Sequence, residues 1–325
     1  MKNKIISVLL ILIMSLSFTV HANAAPSSWA EKEIKAAISE NLVPKELQKD
    51  YKKPITRAEF CGLAVNLYEN ISEEEIKERK SFIDSNDINV MKIGGLGIVE
   101  GIGNNKFNPN GHLTQEQAAA ILSNLSMAMN YSLKDGNHAF ADSKEISKWA
   151  IKDVQKVKAS GIMEGTWTNM FNPKGNYTRE ESIVTILRLY DKINLEALTE
   201  EDVYNSIMSL KDEYPNDMPW TNDNYYEWNG GIFSGGYGCF GFAFILSDEA
   251  FGRAPARKTT DFDNLKIGDI IRINNDTHSV VVTGIDGDII TLAEGNYGSS
   301  IYWGRTKTLK EIKETGDYIL TRYLE

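Results

Sequence analysis

Residues 97–114 read GIVEGIGNNKFNPNGHLT and residues 161–178 read GIMEGTWTNMFNPKGNYT; the two align without a gap at an offset of 64, with ten of the eighteen positions identical. The identities include Gly101 with Gly165 and Phe107-Asn108-Pro109 with Phe171-Asn172-Pro173. Self-similarity at a fixed spacing marks a supersecondary unit that buries its apolar face only by stacking on its neighbours. Upstream, Phe82-x-Asp84-Ser85 corresponds to Phe140-x-Asp142-Ser143. A third, earlier copy lacks the Phe-Asn-Pro loop but keeps Pro54-Ile55-Thr56-Arg57-Ala58-Glu59-Phe60, followed by Leu63, Ala64 and Leu67 at helical spacing.

Each copy predicts a helix, a glycine-bearing loop and a second helix opening on Thr. Thr56-x-x-Glu59, Thr114-x-x-Gln117 and Thr178-x-x-Glu181 fit the capping box, in which the two side chains satisfy each other's orphan backbone N–H groups. The box does not require Arg57 or Arg179. A residue just inside the cap is expected to point outward, and a guanidinium there, beside exposed N–H groups and the helix dipole, favours an anionic ligand. The second copy carries Gln115 at that position.

Together with Trp29-Ala30, Trp149-Ala150 and the Thr-Arg-x-Glu motifs, these residues resemble the S-layer homology (SLH) repeat over about residues 26–193. The resemblance implies an all-α, pseudo-threefold trimer within one chain, with repeats at 25–72, 79–131 and 137–193. Its grooves, lined by Arg57, Arg179, Gly101 and Gly165, would hold an anionic secondary cell-wall polysaccharide. Gln115 would leave one groove weakened.

Working outward, Lys2 and Lys4 precede an apolar run from Ile5 to Val20 and a small-x-small site at Ala22-Asn23-Ala24. This pattern predicts a secretory signal peptide over 1–24, with no lipid anchor and no membrane span after cleavage. The 325 residues carry 35 Lys and Arg against 45 Asp and Glu, a net charge of −10 that becomes two units more negative without that leader. Such a length allows two or more domains. The acidic balance argues against nucleic acid, which is bound by clustered basic residues. Two cysteines, Cys61 and Cys239, exclude a disulfide scaffold. No zinc-ligand spacing, phosphate loop or dinucleotide fingerprint is present, so no metal or cofactor is expected. The acids from Asp84 to Asp87 and at 73–75 read as caps and solvated faces.

After an acidic, helical linker at 194–214 the composition changes. Trp220, Tyr225, Tyr226, Trp228, Phe233 and Tyr237 stand among Gly and Asn, and serve either a core, with Trp303, or a substrate groove. A helix is expected from about Cys239 to Ala250, then strands at 268–273, 279–285 and 289–294, a small α+β domain over 215–325. Cys239 follows Gly235-Gly236-Tyr237-Gly238 at a helix start, where the dipole favours thiolate. His278 is this domain's one histidine, so Cys239 and His278 are the candidate nucleophile and base. In an antiparallel hairpin, facing residues have a constant index sum. A three-residue loop Ile285-Asp286-Gly287 gives 572 and sets Glu294 opposite His278, with Asn296 on the same face. A two-residue Asp286-Gly287 turn gives 573 and turns both away unless a bulge restores the parity.

The order Cys239, His278, Glu294-x-Asn296 resembles the CHAP amidase and peptidase domains, relatives of the NlpC-type endopeptidases in the papain-like fold, although Thr277-His278 replaces the usual Gly-His. The resemblance implies a thiol amidase or endopeptidase acting on peptidoglycan peptides, with Glu294 or Asn296 orienting the imidazole. Asn224 and Tyr226 are candidate oxyanion donors beside the Cys239 N–H. The whole reads as a bacterial cell-surface protein anchored by its repeats; a non-catalytic surface binder is the other reading.

Overall fold

The computed structural model describes residues 25–137, 140–166 and 168–324. The leader expected over 1–24, and His138 in the third repeat, lie outside the described residues.

The repeats form the helices α1 (Glu31–Ser39), α2 (Arg57–Ser72), α3 (Ile88–Gly95), α4 (Gln115–Ala128), α5 (Ile151–Ala159) and α6 (Arg179–Ala197). All three capping boxes close on α2, α4 and α6. The residues just before the caps then join. The Ile55 N–H donates to the Tyr177 carbonyl at 2.8 Å, Tyr177 N–H to Leu113 at 2.8 Å, and Leu113 N–H back to Ile55 at 3.2 Å. Three extended segments thus satisfy one another's backbone in a ring, and the side chains of Ile55, Leu113 and Tyr177 are buried in the core beneath. Each second helix also starts against a loop of another copy: the N–H of Arg57, Gln115 and Arg179 donates to Gly111, Gly175 and Lys53 respectively.

The packing is circular. Helix α3 lies on α2, α5 on α4, and the first helix, α1, on the last, α6. Glu180 locks that closure by accepting the Ser27 N–H at 2.9 Å and hydroxyl at 2.8 Å, as Glu116 does for Ser147 at 2.9 and 3.0 Å.

The sequence marks 194–214 as a linker, but α6 runs to Ala197 and α7 (Glu200–Ser209) buries Val203 and Ile207 in one core with Phe242 and Phe244. The high acid content conceals this apolar pair one turn apart, while Glu200, Glu201 and Asp202 face water. Beyond α7 come β1 (Tyr225–Glu227), β2 (Gly235–Tyr237), α8 (Gly238–Phe251), β3 (Arg257–Thr259), β4 (Ile270–Ile273), β5 (His278–Asp286), β6 (Ile289–Tyr297), β7 (Ser300–Thr308), α9 (Leu309–Thr315) and β8 (Gly316–Thr321). The main sheet is antiparallel, in the order β3-β8-β4-β5-β6-β7. Helix α8 packs against Ile270, Val281 and Ala293 on one face, while Val280, Val282 and Leu292 meet Ile312 of α9 on the other. The domain is therefore mostly β, with α8 its longest helix among the described residues.

Because Glu180 accepts both hydrogen bonds from Ser27, Glu180→Ala should lower the stability of the helical module by about 1–3 kcal/mol. Thermal unfolding with hydrogen exchange on α1 measures this; an unchanged midpoint would show that the two Ser27–Glu180 bonds contribute nothing to stability.

Candidate functional site

Cys239 is the second residue of α8. Gly238 adopts φ +55°, and a methyl group there would fall 2.4 Å from Asn222 Oδ1 and 3.1 Å from Asn296 Nδ2, so glycine is required at the bend. Trp220 Nε1–H donates to the Gly238 carbonyl at 2.7 Å and fixes the helix start. The thiol is 8% exposed and lies 4.0 Å from the Thr277 carbonyl, beside the residue that opens β5, His278.

The hairpin differs from the expected one. Asp286 pairs with Ile289, so the turn is Gly287-Asp288 and the local index sum is 575, not 572. That odd sum would separate His278 from Glu294. A bulge at Thr283 shifts the pairing to Val282 with Leu292 and Val281 with Ala293, an even sum of 574. His278 and Glu294 consequently share a face, and His278 Nε2 lies 2.7 Å from Glu294 Oε2. Glu294 is 1% exposed and also accepts from Arg305 Nη1 at 3.1 Å, while the Arg305 guanidinium stacks 4.6 Å over Tyr297. With Nε2 engaged, Nδ1 is the ring nitrogen not bonded to Glu294.

Electrostatics follow from this chain of contacts. Burial alone would raise the Cys239 pKa, but His278, the Ser279 N–H and the charge of Arg272 outweigh it and bring the thiol below its ordinary value. Burial pulls the imidazolium down, yet its contacts with Cys239 and Glu294 prevail and raise His278 to about 9. The pair is thus biased toward thiolate and imidazolium, the reactive form of a catalytic cysteine. Cys61 is the contrast: complete burial pushes its thiol up to about 12.

Asn296 does not meet His278. It has φ +56° within the bulge between Glu294 and Tyr297, which takes it out of the strand alternation, and Nδ2 donates to Asn222 Oδ1 at 2.8 Å. Of the expected oxyanion donors, Asn224 is held in the turn before α8 and Tyr226 lies against a residue farther along that helix. Asn224 Oδ1 accepts the Thr221 N–H at 2.8 Å, and its carbonyl accepts the Gly238 N–H at 2.9 Å. Tyr226 pairs with Asp248, nine residues along α8 and so about 13 Å from Cys239 at 1.5 Å per residue. Asn222 is the amide beside Gly238, the residue before Cys239, and sequence reasoning missed it because no spacing rule relates a turn residue to a helix start. The aromatics divide: Trp220, Trp228 and Trp303 are core, whereas Tyr225 and Tyr237 pair at 4.8 Å on the surface.

The three positions just inside the caps are unequal. Arg57 lies 4.6 Å over the Phe107 ring, its Nε donates to the Phe107 carbonyl at 2.9 Å, and among the described residues it has no ion-pair partner. Arg179 is not outward and free, as expected from its position; its side chain is 13% exposed and bonds Glu59 Oε1 at 2.5 Å and the Lys49 carbonyl at 3.1 Å. Burial would raise Glu59, but Arg179 and the Thr56 cap hold it below the usual carboxylate range. Gln115 bonds Glu181 at 3.1 Å. Gly101 (φ +95°) and Gly165 (φ +78°) sit where a Cβ would strike the Lys106 carbonyl at 2.4 Å and the Phe140 ring at 2.6 Å, so loop geometry accounts for both. Asp84 and Asp142 accept the N–H groups of the two Phe-Asn pairs. Among the described residues no group of three or more His, Cys, Asp or Glu side chains is placed to hold a metal, and no helix is long and apolar enough to cross a membrane.

Comparison with known proteins bears chiefly on the helical module. Residues 86–119 and 139–181 match the S-layer homology domain. The chain is 33% identical over 177 residues, 52% of its length, to an amylopullulanase of Thermoanaerobacterium thermosulfurigenes, covering 9% of that protein. It is 32% identical over 183 residues, 54% of its length, to the exoglucanase XynX of Acetivibrio thermocellus, covering 17% of it. With the surface-layer 125 kDa protein of Lysinibacillus sphaericus it shares 23% identity over 178 residues, 52% of this chain and 14% of that one. A solved chain described as Ly7917 with the hydrolyzing product of MDP covers 38% of this chain and 63% of its own, at 13% identity and a TM-score of 0.25, below the level of a shared fold. Two segments of the chain therefore carry the S-layer homology match, and with the surface-layer relative this supports a cell-wall or S-layer surface location. The match spans less than a fifth of the curated relatives' length.

The two thiols should differ in chemistry. At pH 7 Cys239 should be alkylated by iodoacetamide more than about ten times faster than Cys61, and His278→Ala should slow it. Equal rates, read by peptide mass spectrometry, would contradict the thiolate assignment.

Proposed function

We propose that this chain is a wall-tethered thiol hydrolase that cleaves an amide bond in peptidoglycan peptides. The observation that carries the reading is His278 bonded to the buried Glu294, itself held by Arg305, with the Cys239 thiol 4.0 Å from the carbonyl of the residue before His278. A thiolate at a helix start, a protonated imidazole and a carboxylate fixing that imidazole are the parts an acyl transfer needs. The wall-surface location supplies the substrate class. The relatives' names are those of an amylopullulanase and an exoglucanase, of which the match covers 9% and 17%.

Chemically, the Cys239 thiolate attacks the peptide carbonyl carbon and the C–N bond breaks as His278 gives its proton to the leaving amine. Water then attacks the thioester, passing its proton to His278 and restoring the thiolate as the acid departs. The oxyanion takes the Cys239 N–H, in the first turn where no helical carbonyl is available to it, and the Asn222 amide. In the helical module the Arg57 groove binds the anionic polysaccharide, because Arg179 and Gln115 already bond carboxylates within the fold.

Incubation with purified walls should release new amino termini, and Cys239→Ala should abolish the release; equal release by the variant rejects the mechanism. The reactive form persists between the lowered pKa of Cys239 and that of His278, so kcat/KM should fall as pH rises through about 9. Glu294→Gln should move that alkaline limb to lower pH and reduce kcat/KM about 10- to 1000-fold. An unmoved limb would show that Glu294 does not act on His278. For the tether, Arg57→Ala should weaken wall pelleting about fivefold or more and Arg179→Ala less; equal losses would contradict the ranking of the grooves.

A further inference from the structure

The helical and C-terminal modules meet around a cavity of about 550 Å³ that belongs neither to the Cys239 site nor to the repeat grooves. Its helical wall brings Lys134, Arg188 and Lys192 together, and Lys32 stands at the edge. The opposite wall is the segment after α8, including Ala254 and Pro255, with Tyr323. Contacts between the modules frame it: Arg253 bonds Asp191 at 2.7 Å and Glu40 at 3.1 Å, and Lys32 bonds Asn229 at 2.9 Å.

The basic cluster is poorly compensated. Among the described residues neither Lys134 nor Lys192 forms an ion pair, and Arg188 reaches Glu164 only at 3.5 Å. Of the lining acids, Asp191 is taken by Arg253, which leaves Glu33 and the loosely held Glu164. Lys192 is half-buried, and its ammonium is held below the usual lysine range first by burial and then by the charges of Lys134 and Arg188. Gly161 lies beside that ammonium: a Cβ there would stand 3.7 Å from Nζ. Gathering like charges against an apolar wall is unfavourable, and a bound anion relieves it. The chain carries a net charge of −10, so attraction of an anion here is local and not a consequence of overall charge.

We propose that this inter-module cavity binds a small polyanion bearing two or more phosphate or carboxylate groups, its charges on Lys134, Arg188 and Lys192 and its body against Ala254, Pro255 and Tyr323. Touching both walls, the ligand fixes the C-terminal module on the repeats. The site stands apart from the thiol chemistry and from the Arg57 groove.

Calorimetric titration of the full secreted chain with tripolyphosphate and with citrate tests this. The wild type should bind at least one of them with Kd below about 1 mM. Lys134→Ala/Lys192→Gln should weaken binding about tenfold or more, and Arg57→Ala should leave it unchanged. The tighter probe identifies phosphate or carboxylate as the recognised group. Should the double variant not fold, the exposed Lys134→Ala alone should weaken binding about threefold. A wild type that binds neither probe at about 10 mM, folded variants that bind as the wild type does, or equal weakening by Arg57→Ala would overturn the proposal.

Discussion

One extra residue in a strand decides whether this protein has a site at all. The turn Gly287-Asp288 joins β5 and β6 with an odd index sum, under which His278 and Glu294 would project from opposite faces. The bulge at Thr283 restores an even sum and brings the imidazole within 2.7 Å of a carboxylate that is otherwise buried. Burying Glu294 without partners would be costly, so His278 and Arg305 stabilise it as much as it orients them. The position of Cys239 is a second constraint: α8 starts at a glycine bend that only a residue without a side chain could occupy beside Asn222 and Asn296.

The helical module rests on an equally compact device. Three backbone hydrogen bonds among Ile55, Leu113 and Tyr177 tie together segments far apart in sequence, and the capping boxes that follow satisfy the helix starts on every side. The symmetry is one of backbone only. At the first position inside the cap the three copies place a stacked arginine, a glutamine and a neutralised arginine, so equal folds present unequal surfaces. Among the described residues Arg57 has no ion-pair partner, while Gln115 and Arg179 bond carboxylates of other copies.

Much of this was legible in the sequence where a local rule governs. The capping boxes, the aligned loops and the start of α8 each follow from residue type at fixed spacing. The shared face of His278 and Glu294 was reached through the wrong turn, because a bulge leaves no local signature at Thr283. Arg179 was read as outward because Glu59, its partner, lies in another copy, 120 residues away. The acidic stretch after the repeats hid Val203 and Ile207, whose burial depends on α8. Asn222 could not be found, since its proximity to Gly238 is a property of the folded loop.

Two modules thus combine, the helical repeats and a mostly β domain with Cys239 at a helix start, joined by a docked helix and a salt-bridged seam. The most direct measurement of the central claim is the covalent intermediate. After acid quench of the protein with wall peptides, peptide mass spectrometry should find an acyl group on the Cys239 sulfur, accumulating early in the reaction and missing in Cys239→Ala. Continued cleavage of wall peptides by protein whose Cys239 has been fully alkylated, with no acyl adduct at any time, would contradict the account.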